Sequence, residues 1–170
     1  PIMMPAFSHL NKIKNKDVKP MEEYAKAAKE ENLLNWVGME SDDDFGNILA
    51  VNSKTVRIIK PFADHDIILH QIAFAEQHGA IAVGIDIDHI AGTNGKYDVV
   101  DGHPMGPITL KDLKTIVEKT HLPFVAKGVL SVSDALKARE AACKAIVVSH
   151  HHGRIPFGIP PAYALPKIKD

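Results

Sequence analysis

The 170-residue chain has one cysteine, Cys143, so no disulfide can form within it. A lone thiol suits a reducing compartment, and a cytoplasmic location is expected. An excess of either charge is also missing: 20 Lys and Arg stand against 21 Asp and Glu, for a net charge of −1. The basic residues are dispersed and no basic run is interleaved with aromatics. That removes the electrostatic case for nucleic acid or an anionic membrane as partner. No apolar run approaches the ~18 residues of a membrane span. There is no charged-then-apolar leader, so no signal peptide is expected. The chain opens at Pro1 inside an apolar segment, which reads as a processed or truncated start. No Gly-rich fingerprint follows the first apolar run, which weakens a dinucleotide-binding reading. Low-complexity segments and internal linkers are absent, so residues 1–170 read as a single domain.

What is present is a regular alternation. Hydrophobic residues make up 45% of the chain, enough for one sizeable core at this length. Short β-rich apolar runs fall at Ile2–Ala6, Leu33–Met39, Val56–Lys60, Ile81–Ile87, Phe124–Val129 and Ala145–Ser149. They are nearly continuous rather than alternating, as in strands covered on both faces. Helix-like stretches separate them. Pro20–Glu31 is rich in Ala, Glu and Lys, Ser41–Ala50 is acidic and reads as a short or irregular helix, and Asp66–His78 stops at Gly79. Thr109 opens Leu110–Lys119 with Asp112 placed for a capping box, and Ser133 reads as the cap of Asp134–Ala141. Strand and helix repeated this way predict βαβ units around a parallel sheet. Six strands are too few for a closed eight-stranded barrel, which rarely takes under ~200 residues. The one long connection, His89–Ile108, is rich in Gly, Pro and His and reads as a structureless lid.

In parallel α/β folds, chemistry gathers at the C-terminal strand ends. Asp86, Asp88 and His89 end the fourth run, Lys127 the fifth, and Ser149 through Arg154 the sixth; Lys60 ends the third. Lys60 and Lys127 are either solvated strand-end lysines or buried ones that meet an anion or a cofactor edge. The segment SHHHGR, Ser149–Arg154, leaves three alternatives open. One His acts as a base while Arg154 holds a carboxylate; His150 and His152 ligate a metal with Asp86 or Asp88; or the three His are ordinary loop residues. Asp86 and Asp88 share a strand face. They could orient a His or bind a cation, or Asp88 could cap the loop.

FVAKGVLSVSDALKAREAACKAIVVSHHHGRIPFGIPPAYALPKI, with IAVGIDIDH and IMMPAFSH upstream, resembles the FMN-dependent 2-hydroxy acid oxidases and dehydrogenases. These include the glycolate oxidase, lactate oxidase and flavocytochrome b2 types. The motifs fall in the family's order from about Pro1 to Ile168. The resemblance implies an α/β fold, an incomplete (β/α)8 TIM barrel of about six βα units, with FMN at its C-terminal mouth. It implies His151 as catalytic base, Asp86 as the carboxylate paired with it, and Arg154 as the residue binding the substrate carboxylate. Lys127 and Ser149 are implied as flavin contacts, with Ala6, Gly38, Lys60 and Gly84 where early strands meet the ring. The implied reaction is oxidation of a small 2-hydroxy acid to the 2-oxo acid, with no metal.

Several positions depart from the family pattern. His150 and His152 flank the base where the family has Asn and Gly, and a His could crowd space that a Gly leaves open. Ala142 and Ala145 stand where Gly is usual before the last strand, and a left-handed turn costs an Ala roughly 1 kcal/mol or more. Phe62 stands where many members have a hydrogen-bonding Tyr. No counterpart is found for the family's N-terminal segment or for the last two strands, whose loops hold the FMN phosphate. A fragment or oligomer, or a partner chain that completes the barrel, is therefore expected, with weak FMN binding by this chain alone. Two further readings remain: a metal-dependent barrel hydrolase or lyase, and a non-catalytic relative serving as a subunit.

Overall fold

The computed structural model describes residues 3–12, 18–92, 95–153 and 158–169. After a 3-10 turn at Leu10–Lys12, the chain runs α1 (Pro20–Glu30), β1 (Leu34–Val37), α2 (Asp42–Ala50), β2 (Lys54–Ile59), α3 (His65–Gln77) and β3 (Ala82–Asp86). A small hairpin follows, β4 (Val99–Val100) and β5 (His103–Pro104). Then come α4 (Leu110–Val117), β6 (Phe124–Lys127), α5 (Val132–Glu140), β7 (Ala145–Val147), a 3-10 turn at His151–Gly153 and α6 (Pro161–Lys169).

The main sheet has five parallel strands in the order β1-β2-β3-β6-β7. Spatial order follows chain order throughout, so the sheet never reverses direction as a doubly wound sheet does at its switch point. It is an arc of the barrel type that is not closed. Of the expected first strand, Ile2–Ala6, Ile2 lies outside the described residues; Met3, and Phe7 just past the run, form parallel bridges to Leu34 and Val37 along the free side of β1.

Side-chain alternation divides the sheet into two faces. Val37, Ile59, Val83, Ile85 and Phe124 point out and pack on Met21, Phe45, Ile48, Ile68, Ile72 and Ile116 from the helices. Trp36, Val56, Ile58, Ala82 and Val125 point in and form a second cluster, joined by Ala6 and Val147. Gly84 lies on this inner face opposite Val125, and a Cβ there would run into that neighbour and into Ile58. Arg57 takes an outer-face position although it is charged. It is fully buried, 4.4 Å over the Phe45 ring and bonded to Asp42 Oδ1 at 3.1 Å. The pairing and the ring contact offset its desolvation.

The helices begin for legible reasons. Ser41 caps α2, which is a regular helix rather than an irregular one. Thr109 and Asp112 form a full capping box on α4. The cap of α5 is Ser131, not Ser133: its hydroxyl accepts the Asp134 N–H at 3.0 Å. Two candidate caps lie two residues apart in the sequence, and the chain takes the earlier one. The His89–Ile108 connection is not structureless, since β4 and β5 pair within it and Met105 bridges to Phe62. Strands of two residues are too short to show periodicity. Ala142 takes φ +63°, the left-handed turn that a Gly would occupy at less cost.

The cap assignment is directly measurable. S131A lowers stability by about 1 kcal/mol, while S133A stays within about 0.5 kcal/mol of the parent. Urea midpoints of the two variants decide it; equal losses would return the cap to Ser133.

Candidate active site

The C-terminal ends of the parallel strands carry a compact set of ionisable groups. β3 ends at Asp86, whose side chain is buried, and the alternation that faces Gly84 inward does the same for Asp86. Lys60, one residue beyond β2, puts Nζ 2.7 Å from Asp86 Oδ2. Lys127, the last residue of β6 and register partner of Asp86, donates to Oδ1. Both lysine side chains are largely buried, at 8% and 13% exposure, which settles the ambiguity that each carried in the sequence. Burial by itself would push the Asp86 carboxyl up. The ammonium groups of Lys60 and Lys127, with His151 beside them, outweigh that and hold it below the ordinary carboxylate range.

His151 reaches this cluster from the 3-10 turn after β7, with a left-handed φ of +51°. Its Nδ1 lies 3.6 Å from Asp86 Oδ1 and 3.3 Å from Asp88 Oδ1. The expected Asp86–His151 pair is therefore present, but Asp88 is the nearer carboxylate. His89 stacks edge-on to the His151 ring at 5.0 Å between centroids, and its Nε2 pairs with Asp98 Oδ2 at 2.7 Å. His89 stands with Asp86 and Asp88 at a strand end in the sequence, but its partner Asp98, inside the long connection, gives no signal there.

The other expected site residues divide into three groups. Ser149 follows β7, and its buried hydroxyl has no hydrogen-bond partner among the described residues. Ala6 and Gly84 line the inner apolar face, and Gly38, just beyond β1, donates its N–H to the Phe7 carbonyl at 2.7 Å. Arg154 lies outside the described residues, as does the side chain of His152.

Of the donor set expected for a metal, Asp86 or Asp88 with His150 and His152, the side chain of His152 lies outside the described residues. His150 Nδ1 accepts the Gly153 N–H at 2.7 Å. Among the described residues, the donor atoms that converge within 4.8 Å of one another belong to Asp86, His89 and His151. Lys60 and Lys127 already hold the two Asp86 oxygens, so a divalent cation there would compete with two ammonium groups.

Known proteins resemble this chain in sequence and in fold. The family described as FMN-dependent dehydrogenase matches residues 93–170. L-lactate oxidase of Nostoc sp. is 37% identical over 86 residues, covering 50% of this chain and 24% of that protein. 4-Hydroxymandelate oxidase of Amycolatopsis orientalis is 39% identical over 64 residues, 36% of this chain and 18% of that protein. A solved mandelate oxidase superposes over 98% of this chain and 54% of its own, with TM-score 0.82 and 21% identity, which shows a shared fold. The chain thus spans about half the length of that structure and less of the curated relatives. Residues 93–170, just under half of this chain, match the FMN-dependent dehydrogenase family.

Proposed function

We propose that this chain supplies part of the catalytic barrel of an FMN-dependent enzyme that oxidises a small 2-hydroxy acid to its 2-oxo acid. The observation that carries the proposal is the grouping of Lys60, Asp86, Lys127 and His151 from four successive βα units at one end of the sheet. Substrates of the kind named for the relatives, lactate and 4-hydroxymandelate, are small acids of this class.

The residues present fit the cofactor. Trp36 Nε1 on the inner face and Ser149 Oγ at the end of β7 are buried and without hydrogen-bond partners among the described residues. Buried polar groups in that state call for a partner rich in polar edges, which the flavin ring is. Lys127, Lys60 and Ser149 would hold it, with Ala6, Gly38 and Gly84 on the early strands beside them. When bound, FMN supplies the acceptor for the hydride equivalent.

The chain's own residues do the rest. His151 takes the substrate proton, and the carboxylates at its Nδ1 side stabilise the imidazolium that results. Lys60 and Lys127 keep Asp86 ionised at the inner mouth. Arg154, three residues past the base, takes the substrate carboxylate bidentately, so both ends of a small acid are fixed. The single thiol, Cys143, is half-buried, and desolvation pushes its pKa up to about 11, which keeps it protonated near neutral pH. A partner chain or further strands complete the barrel wall.

Two measurements test this. Anaerobic addition of a 2-hydroxy acid to the FMN-loaded protein bleaches the oxidised flavin absorbance, and H151Q slows that bleaching by about 10²–10⁴-fold. No bleaching with any small 2-hydroxy acid would overturn the oxidation. Separately, D86N leaves two buried ammonium groups without their counter-ion and costs about 3–5 kcal/mol near neutral pH. Because the native carboxyl is held below its ordinary range, its contribution is present above that range and lost as pH falls through it. The gap between parent and D86N in urea midpoint therefore narrows only under acid conditions.

A further inference from the structure

Asp86 and Asp88 both face His151 Nδ1, but they are not equivalent. Asp86 spends Oδ2 on Lys60 and Oδ1 on Lys127, so its charge is already more than balanced. Asp88 has a side chain 2% exposed, its Oδ1 points at His151, and its Oδ2 is buried with no hydrogen-bond partner among the described residues. No lysine or arginine pairs with Asp88 among those residues. A buried carboxylate in that position needs a proton or a positive neighbour, and His151 is the group placed to provide one.

The backbone is shaped to admit it. Gly128, directly after β6, takes φ +99°, and a Cβ there would collide with the Asp88 carboxyl. A residue with a side chain at 128 would displace Asp88 from His151.

We infer that Asp88 is the positioning residue for His151: its Oδ1 accepts the Nδ1–H, which fixes the ring tautomer, turns Nε2 toward the substrate side and stabilises the imidazolium. Asp86 then has a different task, holding the two lysines. The positioning of a base rests on the oxidation proposed above; the pairing of the two side chains does not. Among the described residues, the charged groups facing His151 are Asp86 at the end of β3, Asp88 beyond it, Lys127 from β6, with Lys60 behind Asp86, and the His89–Asp98 pair. D88N changes only one of them.

The test is the ring titration of His151 followed by NMR in the full protein, with H151N assigning the signal. D88N removes the carboxylate charge and keeps the shape. The midpoint then falls by about 1–3 pH units, the range for an opposite charge at this distance. A fall of less than about one unit overturns the inference. If D88N does not fold, the carboxyl carbon of Asp88 in the parent protein must show an inflection at the pH where His151 titrates; its absence overturns the pairing. Flavin reduction is read in parallel. A shifted midpoint without hydroxy-acid oxidation sinks the oxidation and keeps the pair, and oxidation with an unmoved midpoint sinks the pair alone.

Discussion

The site depends on one carboxylate buried between two ammonium groups. Asp86 is held by Lys60 on one oxygen and Lys127 on the other. Neither lysine could sit this deep without it, and it could not stay ionised this deep without them. The trio ties β2, β3 and β6 together at their C-terminal ends, where the neighbouring inner face is wholly apolar. The sheet's hydrogen bonds set strand spacing, and the trio sets which side chains turn inward at the mouth. His151 then meets a mouth whose charges are already placed.

Much of the architecture was legible because it follows from local chemistry. Each apolar run from Leu33 onward overlaps one observed parallel strand, and the helices between them begin at Ser, Thr or Asp caps or at Pro20. The runs continue one or two residues past the C-terminal ends of the strands, and β2 begins two residues before its run, at polar Lys54 and Thr55. The Ser133 expectation fails because Ser131, two residues earlier, takes the cap.

The site was legible in membership more than in wiring. Lys60, Asp86, Lys127 and His151 stood out as polar residues ending apolar strands. Their pairing could not be read, because the partners are 26 and 41 residues apart for Asp86 and its lysines. Asp88 was ambiguous for a related reason. A residue two past a strand end can face solvent, a cap or the site, and Gly128 on the neighbouring strand decides among these. Asp98 was hidden beside a hairpin of two-residue strands. Arg57 was hidden by its apolar neighbours, which gave no hint of the Phe45 ring and Asp42 waiting for it.

Because every strand of the arc pairs with its predecessor in the chain, synthesis can lay the sheet down one unit at a time. The charged corner follows a different timetable. It stays incomplete until residue 151 has emerged, so Lys60 and Asp86 must first find each other without the histidine.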